Sequence, residues 1–105
     1  MSKLNVGDVK VFKFVTGEEV IATVTGLVHT SVEIDECLAI IMQINQQTGR
    51  PQPALLPWGH STKDSKRIPL SHVLYYGEPV DNLLEHYNET FGKIITPSNG
   101  IVISE

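Results

Sequence analysis

The stretch Asp8–Gly26, "DVKVFKFVTGEEVIATVTG", constrains the fold more than any other part of the chain. Phe12 and Phe14 alternate with Val11, Lys13 and Val15, and then Val20, Ala22 and Val24 alternate with Ile21, Thr23 and Thr25. A period of two in β-branched and aromatic residues is the pattern of a half-buried strand, not of a helix. "TGEE" separates the two runs, and Gly17 is free to take the positive φ that a tight turn needs. The pattern predicts a β-hairpin, with Gly26 marking a bend or bulge late in its second strand.

The next run, "SVEIDECLAIIMQI", starts in the same alternation at Val32 and Ile34 and turns wholly apolar after Glu36. That change predicts a long bent strand with an irregularity in the middle, which beyond it is either buried on both faces or crosses between two sheet halves. Asn45 to Pro53 reads as a polar loop. "ALLPWG" reads as a short fourth strand, and Pro57, which cannot donate to a ladder, places it at an edge or bulge. "HSTKDSKR" reads as an exposed loop and "IPLSHVLYY" as the fifth strand.

Gly77-Glu78-Pro79 ends the sheet, and Pro79 suits a first helical turn. Val80, Leu83, Leu84, Tyr87 and Phe91 then share one helical face, with Asp81, Glu85 and Glu89 in an acidic stripe and Gly92 as the stop. Pro97–Gly100 reads as a turn and Ile101–Ser104 as a short strand. The expected architecture is mainly β. It is a small, partly open, strongly bent, five-stranded barrel of SH3-like or OB type over residues 1–77, with a C-terminal amphipathic helix and tail, 78–105, packed on it as a single domain. The helix is expected to cover an apolar opening that so small a barrel leaves.

Composition narrows the function. With 41% apolar and 19% charged residues, the 105-residue chain is ordinary for one globular domain. Its longest apolar run, Cys37 to Met42, is far short of a membrane helix. The lone Cys37 reads as a small buried hydrophobe in a reducing, intracellular setting. His29, His60, His72 and His86 have no metal spacing, and Ser61, Ser71 and Cys37 sit in no nucleophile motif, so no metal, cofactor or catalytic site is expected. The net charge of −4 arises entirely in residues 78–105, because residues 1–77 balance. A basic face for nucleic acid must therefore be local, drawn from Lys10, Lys13, Lys63, Lys66 and Arg67.

The order of these motifs resembles an Sm-like (LSm) protein, of the divergent kind found in marine phages of cyanobacteria. Gly17 at the first turn, Gly26 at the second-strand bend, Val32 and Ile34 on the third strand and Asp35-Glu36 at its middle follow the first Sm motif. "HVLYYGEPV" follows the second, with Gly77 in place and Tyr76 where the family has arginine. The "TGEE", "LPW" and "YYGEPVDNLLEHYN" blocks resemble the phage type, and the likeness spans residues 8–80. It implies a homo-oligomeric ring of about five to seven subunits, in which the fourth strand of one subunit pairs with the fifth of the next. Leu55, Leu56, Trp58, Val73, Leu74 and Tyr75 would form that interface. It implies RNA or single-stranded nucleic acid on a face made by His29, Thr30, Ser31, Tyr76 and Gly77, with weak sequence preference and stacking on Tyr76. It also implies the cytoplasm of a phage-infected bacterial host. Val28, His29, Thr30 and Ser31 stand where the family carries base-contacting Asp and Asn, so fold and assembly are implied ahead of uridine recognition. The alternative expectation is an oligomeric protein-binding or structural module with no nucleic-acid role.

Overall fold

The computed structural model describes residues 4–92. Six strands form one antiparallel sheet: β1 (Val9–Phe14), β2 (Glu19–Val28), β3 (Ser31–Ile44), β4 (Pro51–Pro57), β5 (Lys66–Pro69) and β6 (Val73–Gly77). A helix, α1 (Asp81–Thr90), follows. The sheet order is β4-β3-β2-β1-β6, and β5 pairs with the first part of β3. The hairpin expected from the opening stretch is β1–β2, with Phe12 opposite Val20 and Gly17 at φ 102°.

Alternation places Phe12 and Phe14 of β1, Val20, Ala22 and Val24 of β2, and Val32 and Ile34 of β3 in one buried cluster. At Glu36 the register changes. Its φ is 51°, and the β2 partners jump from Thr23–Asp35 to Ile21–Leu38, so β3 carries one extra residue there. Side-chain parity inverts as a result. Cys37 stays in the first cluster, while Leu38 and Ile40 join a second with Ile21, Val9, Val11, Leu55, Tyr87 and Phe91. The first part of the apolar run, Cys37 to Ile40, is thereby accounted for, since it serves a core on each face of the sheet. A second register shift falls between Val24 and Gly26, where the glycine was expected to bend the strand. A Cβ on Gly26 would lie 2.5 Å from Glu33 Oε1, so this crowded position suits glycine.

Several expectations are corrected. The fifth strand is two: Pro69 ends β5, a 3-10 turn (Leu70–His72) follows, and β6 resumes on the far side of β1. That turn joins the two sheet ends, since Leu70 N–H donates to Thr30 O (2.8 Å) and Val15 N–H to His72 O (2.8 Å). Lys66 and Arg67 consequently lie in a strand, where pairing with β3 opposite Ile34 and Glu33 outweighs their loop-like polarity. The polar loop shortens to residues 45–50, because Pro51–Pro53 pair with Met42–Ile44. The helix begins at Asp81, with Val80 as an exposed N-cap residue and not part of the buried face. It covers the outer side of β1–β4 over Ile21 and Leu38, opposite the first cluster, and not an opening into it. Gly92, at φ 69°, accepts the stop role and its N–H donates to Glu89 O (3.2 Å). The turn and strand expected at Pro97–Ser104 lie outside the described residues.

Tyr87 anchors the helix. It is fully buried, its ring lies 4.9 Å from that of Phe91, and its hydroxyl shares a 2.7 Å hydrogen bond with Thr23 Oγ1. Tyr87→Ala removes a large buried ring and is expected to cost about 3–5 kcal/mol. That is a large share of the roughly 5–15 kcal/mol that holds a domain folded. Urea unfolding checks it, and a variant as stable as the parent would mean that α1 does not dock.

Candidate nucleic-acid interface

The turn between β2 and β3 is tight. Val28 pairs with Ser31, which forces His29 to φ 52°, and His29 and Thr30 are exposed. On its flank Ser31 pairs with Pro69, and Thr30 O accepts the Leu70 N–H. Pro69 and Leu70 therefore touch this turn directly. A groove of about 300 Å³ runs from Leu70 along Val73, Leu74, Tyr75 and Tyr76, and its lining is mostly apolar. Tyr76 lines that groove, but its ring also turns inward to 6.2 Å from Phe12 and is half-buried. Gly77 sits opposite Val11.

The two tyrosines separate as period two requires. Tyr75 is 55% exposed, and its hydroxyl donates to Glu19 Oε2 (3.1 Å), which raises the phenol above its ordinary range. Of the expected interface residues, Leu55 lies under α1, the Trp58 ring lies tilted 5.6 Å from that of Phe14, and Val73 packs on the first core. Leu56, Leu74 and Tyr75 remain exposed. β4 is an edge strand, as Pro57 suggested. Trp58 N–H donates to Cys37 O (3.3 Å) and Arg50 O accepts from Asn45 N–H (2.8 Å), so even-numbered backbone groups of β4 face β3. The odd positions face outward, and they are Pro51, Pro53, Leu55 and Pro57. Leu55 alone offers an outward N–H in this strand.

The basic residues are largely committed. Lys10 is 3% exposed and pairs with Glu78, with Asp8 at 4.0 Å. Arg67 places Nε and Nη2 on Glu33 Oε2, at 3.1 and 2.8 Å. Lys66 lies 3.9 Å from Asp35. Lys13 stands opposite Glu19 on β2. A cleft of about 370 Å³ that the sequence did not announce lies between β4 and α1, lined in part by Gln52, Pro53, Asn82, Glu85, His86 and Glu89. The i, i+4 spacing of Glu85 and Glu89 was visible, but not which strand they would face. Among the described residues no cluster of His, Cys, Asp and Glu could hold a metal ion, and no helix is long and apolar enough to cross a membrane.

Cys37 is 1% exposed, and burial pushes its thiol from 9.0 up to about 12. The native thiol stays protonated and inert where an unfolded one ionises. Below pH 9 this costs nothing. Above it the unfolded chain releases a proton that the folded chain retains, so stability falls as pH rises from about 9 toward 12. Burial raises the Tyr87 phenol as well, in the same sense. Thiol labelling at pH 8 is expected only at the rate of unfolding, and prompt labelling of the folded protein would contradict the buried site.

In comparison with known proteins, no family model and no curated protein sequence matches this chain.

Proposed function

We propose that the chain is a small SH3-like barrel of the Sm-like kind that works as a self-associating, protein-binding module, not as a nucleic-acid binder. The strand order supports the barrel reading. A 3-10 turn carries the chain from β5 on β3 to β6 on β1, drawing the two ends of the sheet together. The observation that carries the functional choice is the pairing of the cations. Lys10, Lys66 and Arg67, three of the five that could have met phosphates, sit on Glu78, Asp35 and Glu33. Phosphate neutralisation supplies most non-specific affinity for nucleic acid, and a cation already paired must give up its carboxylate to contribute. The acidic cleft beside α1 and the net charge of −4 add repulsion.

A head-to-tail ring built by pairing β4 with a neighbour's β6 fits this edge poorly, since Pro51, Pro53 and Pro57 remove three outward donors. Self-association through another surface is the better reading.

Two measurements on the same preparation test it. Fluorescence anisotropy with labelled U-rich and A-rich single strands is expected to show no binding at physiological salt. Sedimentation is expected to show mass above the monomer as concentration rises. Tight binding that falls steeply with salt would restore the RNA reading, and a ring of about five to seven subunits would restore β4–β6 pairing.

A further inference from the structure

Beyond the first two clusters, β3 and β4 continue as a two-stranded arm. Ile41–Ile44 pair only with β4, because the β2 ladder ends at Glu19 opposite Ile40. Asn45 N–H and Cys37 O both bond toward β4, so the odd-numbered backbone groups of this part of β3 face β4. The even-numbered ones, at Met42 and Ile44, face the other way. Among the described residues nothing pairs with that edge. The side chains there are also uncovered, with Met42 63% and Ile44 64% exposed. No charged residue occurs from Cys37 to Gly49, and no proline falls in β3.

The arm therefore has two unlike edges. The β4 edge is closed by prolines, whereas the β3 edge keeps its donors and acceptors and carries none of the charges or prolines that normally blunt an edge strand. A two-stranded ribbon is marginal by itself, and a further strand is the usual remedy.

We infer that the Met42–Ile44 edge of β3 is a self-association site that pairs antiparallel with the same edge of a second copy about a two-fold axis at Gln43. This rests on the proposed self-association and names its surface. The segment is self-complementary in that register. Met42 of each copy lies opposite Ile44 of the other, so both outward residues exchange both of their backbone bonds. The apolar side chains fall on one face as cross-strand pairs, and the two Gln43 side chains meet on the other, where their amides can bond each other. Centring the axis on Met42 or Ile44 instead would leave one outward residue of each strand without its counterpart. A foreign strand could use the same edge, but the matched apolar pairs and facing amides are supplied by this sequence itself. The surface is small, which makes the dimer reversible and concentration-dependent.

The register sets the test. Residues at the axis form a non-hydrogen-bonded pair with Cα atoms about 4.5 Å apart, within disulfide reach. Gln43→Cys is expected to form an intermolecular disulfide on mild oxidation, since the native Cys37 is buried. Leu74→Cys, also exposed but on β6, is expected to remain uncross-linked. Ile44→Lys, on a side chain that contacts solvent, is expected to weaken self-association about tenfold by placing like charges across the axis. If the parent self-associates but Gln43→Cys does not cross-link and Ile44→Lys changes nothing, the β3 edge is the wrong surface while self-association stands. A parent that is monomeric up to about 1 mM, where affinity is only about −4 kcal/mol, would overturn both.

Discussion

The left-handed conformation of Glu36 is the constraint on which the rest depends. A strand has a strict two-residue period, so positions of one parity keep to one face unless an extra residue intervenes. One extra residue at Glu36 inverts that period for everything after it. Val32 and Ile34 face one cluster before the bulge, and Leu38 and Ile40 face the other after it. A non-glycine residue at positive φ costs on the order of 1–2 kcal/mol. The return is a second core, in which Ile21, Leu38 and Tyr87 are buried and α1 acquires a surface to dock on. Thr23 ties the two together, with its hydroxyl on Tyr87 and 3.4 Å from Glu36 Oε1.

The same bulge explains the arm. Past Ile40 the strand continues with Met42 and Ile44 on one face and Ile41 and Gln43 on the other, while β2 covers only its first part. The consequence is an exposed hydrophobic ribbon whose two edges have opposite characters. Prolines at alternate positions of β4 remove donors on one side, and β3 keeps a complete backbone row on the other. On the proposed self-association, backbone chemistry would select the edge that pairs. Arg67 and Lys66 of β5 are paired with Glu33 and Asp35 of β3, and Lys10 of β1 is paired with Glu78.

Much of the fold was legible because its causes are local. Gly17 and the alternation around it specify β1–β2, Gly26 marks a real register shift, and the loss of alternation after Glu36 signals a strand packed on both faces only as far as Ile40, since Met42 and Ile44 are exposed. Features that depend on distant partners were not legible. The split of the fifth strand requires knowing that Pro69 pairs with Ser31, and the helix face requires knowing that Ile21 points outward. The candidate site suffered most. Lys10 looked available in sequence, but its partner Glu78 lies 68 positions away, and Arg67 meets Glu33 across 34. The prolines of β4 were visible individually, yet their shared outward parity appears only once the partner strand is known.

Deleting Glu36 tests the central claim most directly, because it removes the extra residue without changing any apolar side chain. If the bulge is what assigns Leu38 and Ile40 to the second core, the shortened strand must turn them toward the wrong face. Thermal unfolding followed by circular dichroism, with Tyr87 burial followed in the near ultraviolet, should then show loss of a cooperative transition and of the tyrosine signal. A deletion variant that melts cooperatively at the parent temperature, with Tyr87 still buried, would contradict the account.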